Sequence, residues 1–235
     1  MDGAPVPTEP SVAGRKVLEQ LLTDRFSCRA YRPDPVPRAV SAGMFALAQR
    51  TATWCNVQPW EVVVTEGEGT ERFRKALLEA ARRGNQAWDI PPPVEYTGAY
   101  RGRRREAGFA LYGALGIDRG DHQGRQLQSA ENFRLFGAPH VAVISAPACL
   151  GPYALVDVGG YLANLLLAAQ SFGLSAIPQA AIAMHSDVVH EALGIPLDRH
   201  IVAGVSFGYG DHDHPVNRFR TTRADAGIAV TWTDR

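Results

Sequence analysis

The change of hydrophobic period between residues 40 and 65 constrains the fold more than any other stretch of the chain. Up to Ala48, apolar residues recur at three- and four-residue spacing, which predicts a helix. Residues 62–64 are all valine, and short β-branched runs of this kind fill buried strands. Between the two, Gln58 precedes Pro59 and is therefore excluded from the helical region. The chain passes from helix to strand through a polar corner, which predicts a fold containing both.

The corner itself has a mixed polar and aromatic composition. It contains the hydroxyl of Thr53, the amide of Asn56 and the indoles of Trp54 and Trp60. Polar groups and flat rings on a short connection suit a planar ligand. The alternative is a simple helix-to-strand turn in which Trp60 packs into the core. The residues of the corner are compatible with both interpretations.

Composition narrows the class of protein. Acidic and basic residues balance at 24 each among 235 residues, so no net field favours nucleic acid or a membrane surface as a partner. The cysteines, Cys28, Cys55 and Cys149, are odd in number and widely spaced, which argues against a disulfide framework. No basic region followed by an apolar core is visible near the start. We therefore expect a cytoplasmic protein.

The chain divides into a short arm and one domain. Residues 1–11 are rich in proline and small side chains, which predicts a flexible N-terminal arm, and residues 12–235 are expected to form a single domain. The longest apolar stretch, Leu155 to Phe172, is interrupted by Asp157 and Asn164. It is predicted to be a buried central helix and not a membrane span.

A basic stretch follows the first predicted helix. Arg25, Ser27 and Arg29 occur at two-residue spacing. Guanidinium groups and a hydroxyl suit a phosphate, which accepts several charge-assisted hydrogen bonds. The alternative is a solvated basic turn, because charged runs often lie only on the surface.

Two other patterns suggest a functional site at first sight but do not support one. Residues 211–215 read Asp-His-Asp-His-Pro, but adjacent ligands without a distant partner do not make a zinc site, and the composition predicts a turn. Gly204, Gly208 and Gly210 do not form the dinucleotide-binding fingerprint. We expect neither a metal site nor a Rossmann fold.

Several stretches together resemble the FMN-dependent nitroreductase superfamily. Residues 56–60, Asn-Val-Gln-Pro-Trp, resemble its N-x-Q-P-W signature, and residues 25–29 resemble its R-x-S-x-R motif. The run from Asp157 to Leu174 is similar to its long central helix. The resemblance implies an α+β, three-layer fold with a mixed, mainly antiparallel sheet flanked by helices. It also implies an intertwined homodimer with FMN sites at the interface.

The resemblance also implies roles for individual residues. The basic stretch and Arg223 would hold the FMN phosphate and ribityl chain, and the corner would approach the flavin of the partner subunit. Backbone amides after the strand near residue 178 would face flavin N5 and O4, so no catalytic side chain is expected. The implied cofactor-binding residues are Arg25, Phe26, Ser27, Arg29, Thr53, Trp54, Asn56, Pro178, Gln179, Ala180, Ala181 and Arg223.

The implied activity is NAD(P)H-dependent reduction of nitroaromatics or quinone-like acceptors, small aromatic substrates, by a ping-pong mechanism through flavin N5. The alternatives are a flavin-binding or sequestering protein with a closed pocket, and an enzyme of reductive dehalogenation or of oxidation of a specialised metabolite. Trp54 departs from the family pattern and is expected either to line the pocket or to pack in the dimer interface. Residues 91–126 correspond to a variable segment over the site. Within it, Arg101–Arg105 would attract a carboxylate or NADP(H) phosphates, or form a solvated surface.

Overall fold

The computed structural model describes residues 12–234, so the predicted arm at residues 1–11 lies outside the described part of the chain. Within that part, helices and strands alternate irregularly, as expected for an α+β chain. In chain order the elements are α1 (Val12–Asp24), α2 (Arg38–Ala48), β1 (Glu61–Thr65), α3 (Glu68–Arg83), α4 (Gly98–Ala114), α5 (His122–Ala130), β2 (His140–Pro147), α6 (Gly151–Ser171), β3 (Ser175–Gln179), α7 (Ser186–Leu193) and β4 (Arg199–Gly208).

The four strands form one sheet in the order β1-β2-β4-β3, and every adjacent pair is antiparallel. Between β2 and β4 the register shifts at Ile144 and Ser145, which marks a bulge. Parallel pairing within residues 12–234 is limited to isolated bridges, such as that between Ser27 and Ala176. The prediction of an α+β fold with a mainly antiparallel sheet is therefore confirmed.

Helices cover both faces of this sheet. Alternate residues of a strand point to opposite faces, and β2 shows the pattern clearly. Ala142 and Ile144 belong to the core under α2 and α6, whereas Val141 and Val143 belong to the core under α3 and α7. The protein is thus a three-layer structure, as predicted.

Helix α6 is the centre of the first core. Tyr161 on α6 stacks on Trp60 with ring centroids 4.6 Å apart, so the predicted role of Trp60 as a core residue is confirmed. The stretch Ala148–Ser171 has the length and hydropathy to cross a membrane. Its apolar composition is explained by core packing, because residues such as Val158 and Leu165 lie in the first core. Its opposite face exposes Tyr153 and Val156, so the helix is less completely buried than its composition predicts.

The predicted variable segment at residues 91–126 contains helix α4 and the first part of helix α5. Its arginines at positions 101–105 lie in the first half of α4, which begins at Gly98. Arginine, alanine and glutamate favour helix on an exposed surface without any apolar stripe, which explains why this part is helical. Helix α5 ends at Ala130, and in the irregular segment that follows Leu135 and Phe136 adopt positive φ angles of 57° and 53°.

Candidate functional site

The segment that follows α1 and the segment that follows β4 meet around a cleft of about 570 Å³. One wall is the segment after α1 and the other is the C-terminal segment that follows β4. Both walls contribute arginine side chains. The lining residues are Leu22, Thr23, Arg25, Phe26, Ser27, Arg29, Phe219, Arg220, Thr221 and Arg223.

The positive charge of this cleft is not neutralised by the protein. Within residues 12–234, none of the four arginines forms an ion pair with a carboxylate. Burial lowers the pKa of Arg29, and burial together with the charge of Arg223 lowers the pKa of Arg25. Both shifts have the direction expected for cations that lack an anion. The donor set fits a phosphate, which would supply the missing charge.

Buried Asn217 holds the two walls together. Its Oδ1 accepts the Arg29 N–H at 2.7 Å, while its Nδ2 donates to the carbonyls of Ala30 at 2.9 Å and Asp211 at 2.7 Å. The sequence interpretation did not single out this residue. The only local indication was an amide directly after a turn, which is a common position for side chains that bond to backbone.

Aromatic rings fix two of the guanidinium groups. The Arg220 guanidinium lies 4.0 Å from the centroid of the Phe26 ring, and that of Arg29 lies 5.6 Å from the Phe219 ring. Such contacts reduce the rotamer freedom of arginine and preserve its charge. Arg220, which was not assigned from the sequence, therefore lies in the same cleft as Arg223.

Strand β3 connects this cleft to the second predicted part of the site. The N–H of Cys28 donates to the Ala176 carbonyl at 3.3 Å. Further along β3, the buried amide of Gln179 donates to the Asn132 carbonyl at 2.8 Å and accepts the Ser206 hydroxyl at 2.5 Å. Pro178, beside it, is half-buried. Both residues thus have fixed positions before the turn that follows.

That turn presents backbone groups at its surface. The carbonyls of Ala180 and Ala181 accept N–H groups from Ala183 and Met184, which closes a 3₁₀ turn. Within the described chain, no backbone hydrogen bond from the N–H of either alanine occurs. The turn rests on the sheet so closely that a Cβ on Gly204 would collide with the side chain of Ile182. Two amide donors are therefore available on a rigid support.

The polar corner is an interlinked set of side chains. The Trp60 indole donates to the Gln49 side chain at 2.9 Å, which donates to Gln58 at 3.0 Å, which in turn donates to the Asn56 Oδ1 at 3.0 Å. Cys55, Asn56 and Gln58 all have positive φ angles of 50–57°. Non-glycine residues in this region carry strain that surrounding contacts must offset. The series of side-chain hydrogen bonds from Trp60 to Asn56 supplies those contacts.

Trp54 lies at the exposed end of the corner. Its side chain is 60% exposed, and its ring packs edge-on against Tyr153 of α6 at 4.6 Å. The Thr53 hydroxyl accepts the Gln58 N–H at 3.2 Å. Thr53, Trp54 and Asn56 do not line the arginine cleft within one chain.

The Asp-His-Asp-His-Pro stretch forms a turn. Asp211 Oδ1 accepts the N–H groups of Asp213 at 3.1 Å and His214 at 3.3 Å. In residues 12–234 there is no group of three His, Cys, Asp or Glu side chains arranged to hold a metal ion.

A three-layer α+β fold with an arginine-lined cleft and two backbone amides that form no hydrogen bond in the described chain is an arrangement suited to a phosphorylated ligand. Comparison with known proteins is more specific. Residues 22–209 match the model of the nitroreductase family. The chain belongs to this family.

Individual relatives resemble the chain over nearly its whole length. Nitroreductase NfnB of Mycolicibacterium smegmatis is 36% identical over 227 residues, which are 96% of this chain and 96% of the relative. A 4-nitrobenzoate reductase of Nocardioides sp. is 32% identical and covers 93% of this chain and 92% of its own. The crystal structure of the FMN-dependent NfnB of Mycobacterium smegmatis in complex with NADPH superposes with a TM-score of 0.89 at 34% identity, over 93% of this chain and 99% of that one.

Proposed function

We propose that the protein is an FMN-dependent oxidoreductase that uses NAD(P)H to reduce small nitroaromatic or quinone-like acceptors. The observation that carries the proposal is the cleft with four arginines and no carboxylate partner in the described chain. It suits the phosphate of FMN, and two relatives that cover this chain almost fully are named a nitroreductase and a 4-nitrobenzoate reductase.

The residues divide into two groups by role. Arg25, Arg29, Arg220 and Arg223 pair with the cofactor phosphate, and Ser27 contributes a hydroxyl next to them. The amides of Ala180 and Ala181 donate to the ring system, where they stabilise charge without a titrating side chain. When bound, the flavin accepts a hydride from the nicotinamide and passes electrons to the acceptor.

The active form is a homodimer in this proposal. The corner residues Thr53, Trp54 and Asn56 lie outside the cleft of their own chain, so they serve the site of a second copy. Helix α6 beside them exposes Tyr153 and Val156, an apolar face of the kind that dimers bury. One chain then supplies the phosphate site and the other supplies the corner.

The acceptor and the location follow from the same considerations. One relative is a 4-nitrobenzoate reductase and another a nitrobenzene nitroreductase, so a small nitroaromatic ring is the proposed acceptor. Alternating entry of donor and acceptor over one flavin face gives ping-pong kinetics. Reduced nicotinamide nucleotides are intracellular, which is consistent with the expected cytoplasmic location.

The experiment that tests this function is rapid mixing of the purified, yellow protein with NADH or NADPH. Loss of the flavin absorbance followed by its return on addition of 4-nitrobenzoate supports the reductase. A flavin that neither nucleotide reduces supports the flavin-sequestering alternative. A flavin that is reduced but reoxidised only by a halogenated aromatic compound supports reductive dehalogenation.

Trp54 provides a prediction about acceptor size. If its exposed indole projects over the flavin of the partner, Trp54→Ser opens the site. We expect the rate with a bulky nitroaromatic to rise relative to the rate with a small quinone, while FMN occupancy stays the same. The ratio of the two steady-state rates is the measurement.

The same variant reports on the competing role. If Trp54 packs between the subunits, its truncation leaves a cavity that costs roughly 3–5 kcal/mol. A large fall in melting temperature with an unchanged rate ratio would contradict the pocket role. Leu197→Ser serves as the control, because it removes a largely exposed apolar side chain outside the corner and outside α6, and it should change neither the rate ratio nor the melting temperature.

A further inference from the structure

The two amides of the turn at residues 180–184, which we call the amide turn, are held in different ways. A peptide unit is planar, so each N–H shares its plane with the carbonyl of the preceding residue. The plane of the Ala181 N–H includes the Ala180 carbonyl, which accepts the Ala183 N–H at 3.0 Å, so the turn itself fixes it. The plane of the Ala180 N–H includes the carbonyl of Gln179, so its orientation depends on Gln179.

Gln179 is the residue at which the sheet ends beside the amide turn. It is the last residue of β3, and its pairing with Gly204 is the last pair in the register of β3 with β4. Strand pairing therefore does not extend to Ala180. Gln179 is only 2% exposed, so a ligand does not reach its side chain. Any effect of that side chain on a ligand must pass through the peptide unit that follows.

Hydrogen bonds fix the side-chain amide of Gln179 at both of its polar atoms. Its Nε2 donates to the Asn132 carbonyl at 2.8 Å, and a carbonyl can only accept, which determines how the amide is oriented. Its Oε1 therefore faces the Ser206 hydroxyl, which donates to it at 2.5 Å. Ser206 is fully buried on β4, and its own carbonyl accepts the Tyr31 hydroxyl at 3.0 Å. The Gln179 side chain thus has a single orientation in a buried network.

This network joins the amide turn to two other parts of the chain. Tyr31 lies in the segment after α1, which forms one wall of the arginine cleft. Asn132 lies after α5, and the next residue, Phe133, packs edge-on against His185 with ring centroids 5.2 Å apart. His185 directly follows the amide turn, so the segment after α5 supports the turn at both of its ends.

We propose that Gln179 is a positioning residue that directs the Ala180 N–H at the bound flavin, and that the Ser206 hydroxyl sets the orientation of the Gln179 side chain. The inference rests on the proposed function, because it requires a flavin that a nicotinamide nucleotide reduces. A donor that is held in place before the reaction stabilises developing charge without reorganisation. A donor whose peptide plane can rotate loses part of this effect, whereas the groups that bind the nucleotide remain unchanged.

The first test separates the rate of flavin reduction from nucleotide binding. Gln179→Met retains an unbranched side chain of similar length and removes both hydrogen bonds. Small displacements of a catalytic group can slow a reaction up to about 100-fold, and we expect the limiting rate of flavin reduction in stopped-flow experiments to fall by about tenfold. The Kd for the nucleotide, from the same concentration series, should stay constant. Ser206→Ala removes only the donor to Oε1 and should lower the limiting rate by a smaller factor.

Thr70→Val is the matched control. Thr70 is also buried and also bonds to a hydroxyl and a carbonyl, those of Thr65 and Pro139, but it lies beside β1 at the opposite edge of the sheet from β3. It should lower the melting temperature as Gln179→Met does and leave the limiting rate unchanged. Equal falls of the limiting rate in both variants would overturn the proposal, and so would an unchanged rate in Gln179→Met.

Amide hydrogen exchange of the flavin-loaded protein tests the support without turnover. The N–H groups of Ala183 and Met184 close the amide turn, and their exchange can be compared with that of the N–H groups of β2. Relative to β2, it should become about tenfold faster in Gln179→Met and stay constant in Thr70→Val. Unchanged relative exchange in Gln179→Met would overturn the proposal. If neither NADH nor NADPH reduces the flavin of the unmodified protein, the proposed function fails instead, and the exchange result still decides whether Gln179 holds the turn.

Discussion

Arg25→Ala is expected to purify largely without flavin. Arg25 lies in the arginine cleft beside Arg223, and its guanidinium has no carboxylate partner in the described chain. Its removal leaves the FMN phosphate under-paired, which costs about 2–5 kcal/mol of binding free energy. This corresponds to a loss of affinity of roughly 30- to 5,000-fold. Titration of the flavin-free variant with FMN, followed by fluorescence quenching, measures the change.

Arg32→Ala is the matched control for this prediction. Arg32 lies three residues beyond the basic stretch, but its guanidinium lies 5.3 Å from the Tyr209 ring and pairs with Asp34 at 3.6 Å, outside the cleft. We expect it to retain FMN at the affinity of the unmodified protein. Full occupancy of Arg25→Ala at limiting FMN would show that the phosphate is held elsewhere.

Arg199→Met is expected to lower the free energy of unfolding by about 3 kcal/mol. The Arg199 guanidinium is buried and donates to Ser145 Oγ at 2.9 Å, to the Ser145 carbonyl at 3.1 Å and to the Pro59 carbonyl at 3.2 Å. Methionine fills similar space but leaves these acceptors unpaired. The melting temperature should fall by roughly 6–12 °C at constant protein concentration, because each kcal/mol shifts it by about 2–4 °C in a chain of this size.

Glu61→Gln separates the ion pair from the buried hydrogen bonds. Arg199 also pairs with Glu61 at 2.9 Å, but the Glu61 side chain is 66% exposed. An exposed partner contributes at most about 1 kcal/mol, so this variant should melt within a few degrees of the unmodified protein. If the two variants are equally destabilised, the ion pair and not the bonds to Pro59 and Ser145 holds the corner on the sheet.

The parts of the fold that depend on local patterns were predictable. The valine run at residues 62–64 forms a strand, and Trp60 packs in the core. Both were predictable because the hydrophobic pattern that determines them lies in neighbouring residues. Gly194 ends α7 in the left-handed conformation that helix C-termini favour. The first half of α4 was not predicted, because residues 98–108 are mostly glycine, alanine and arginine and give no apolar period.

Residues of the candidate site were predictable only where they belong to a recognisable sequence motif. The basic stretch at residues 25–29 and Arg223 resemble a known family, and they meet in one cleft. Asn217 and Arg220 have no such pattern, and their roles arise from contacts with Arg29 and Phe26 that are distant in sequence. The proposed role of Trp54 involves a second chain, and a local sequence pattern does not encode contacts between chains.

The hydrogen bond from the Arg29 N–H to Asn217 joins residues 188 positions apart. Closing so long a loop has a large entropic cost. We therefore expect this contact to form late in folding, after the nearer contacts between β2 and β4. During synthesis the N-terminal wall of the cleft emerges first and stays without its partner until the segment after β4 has left the ribosome. In the proposed flavoprotein, FMN therefore stabilises only chains in which these two segments have already met.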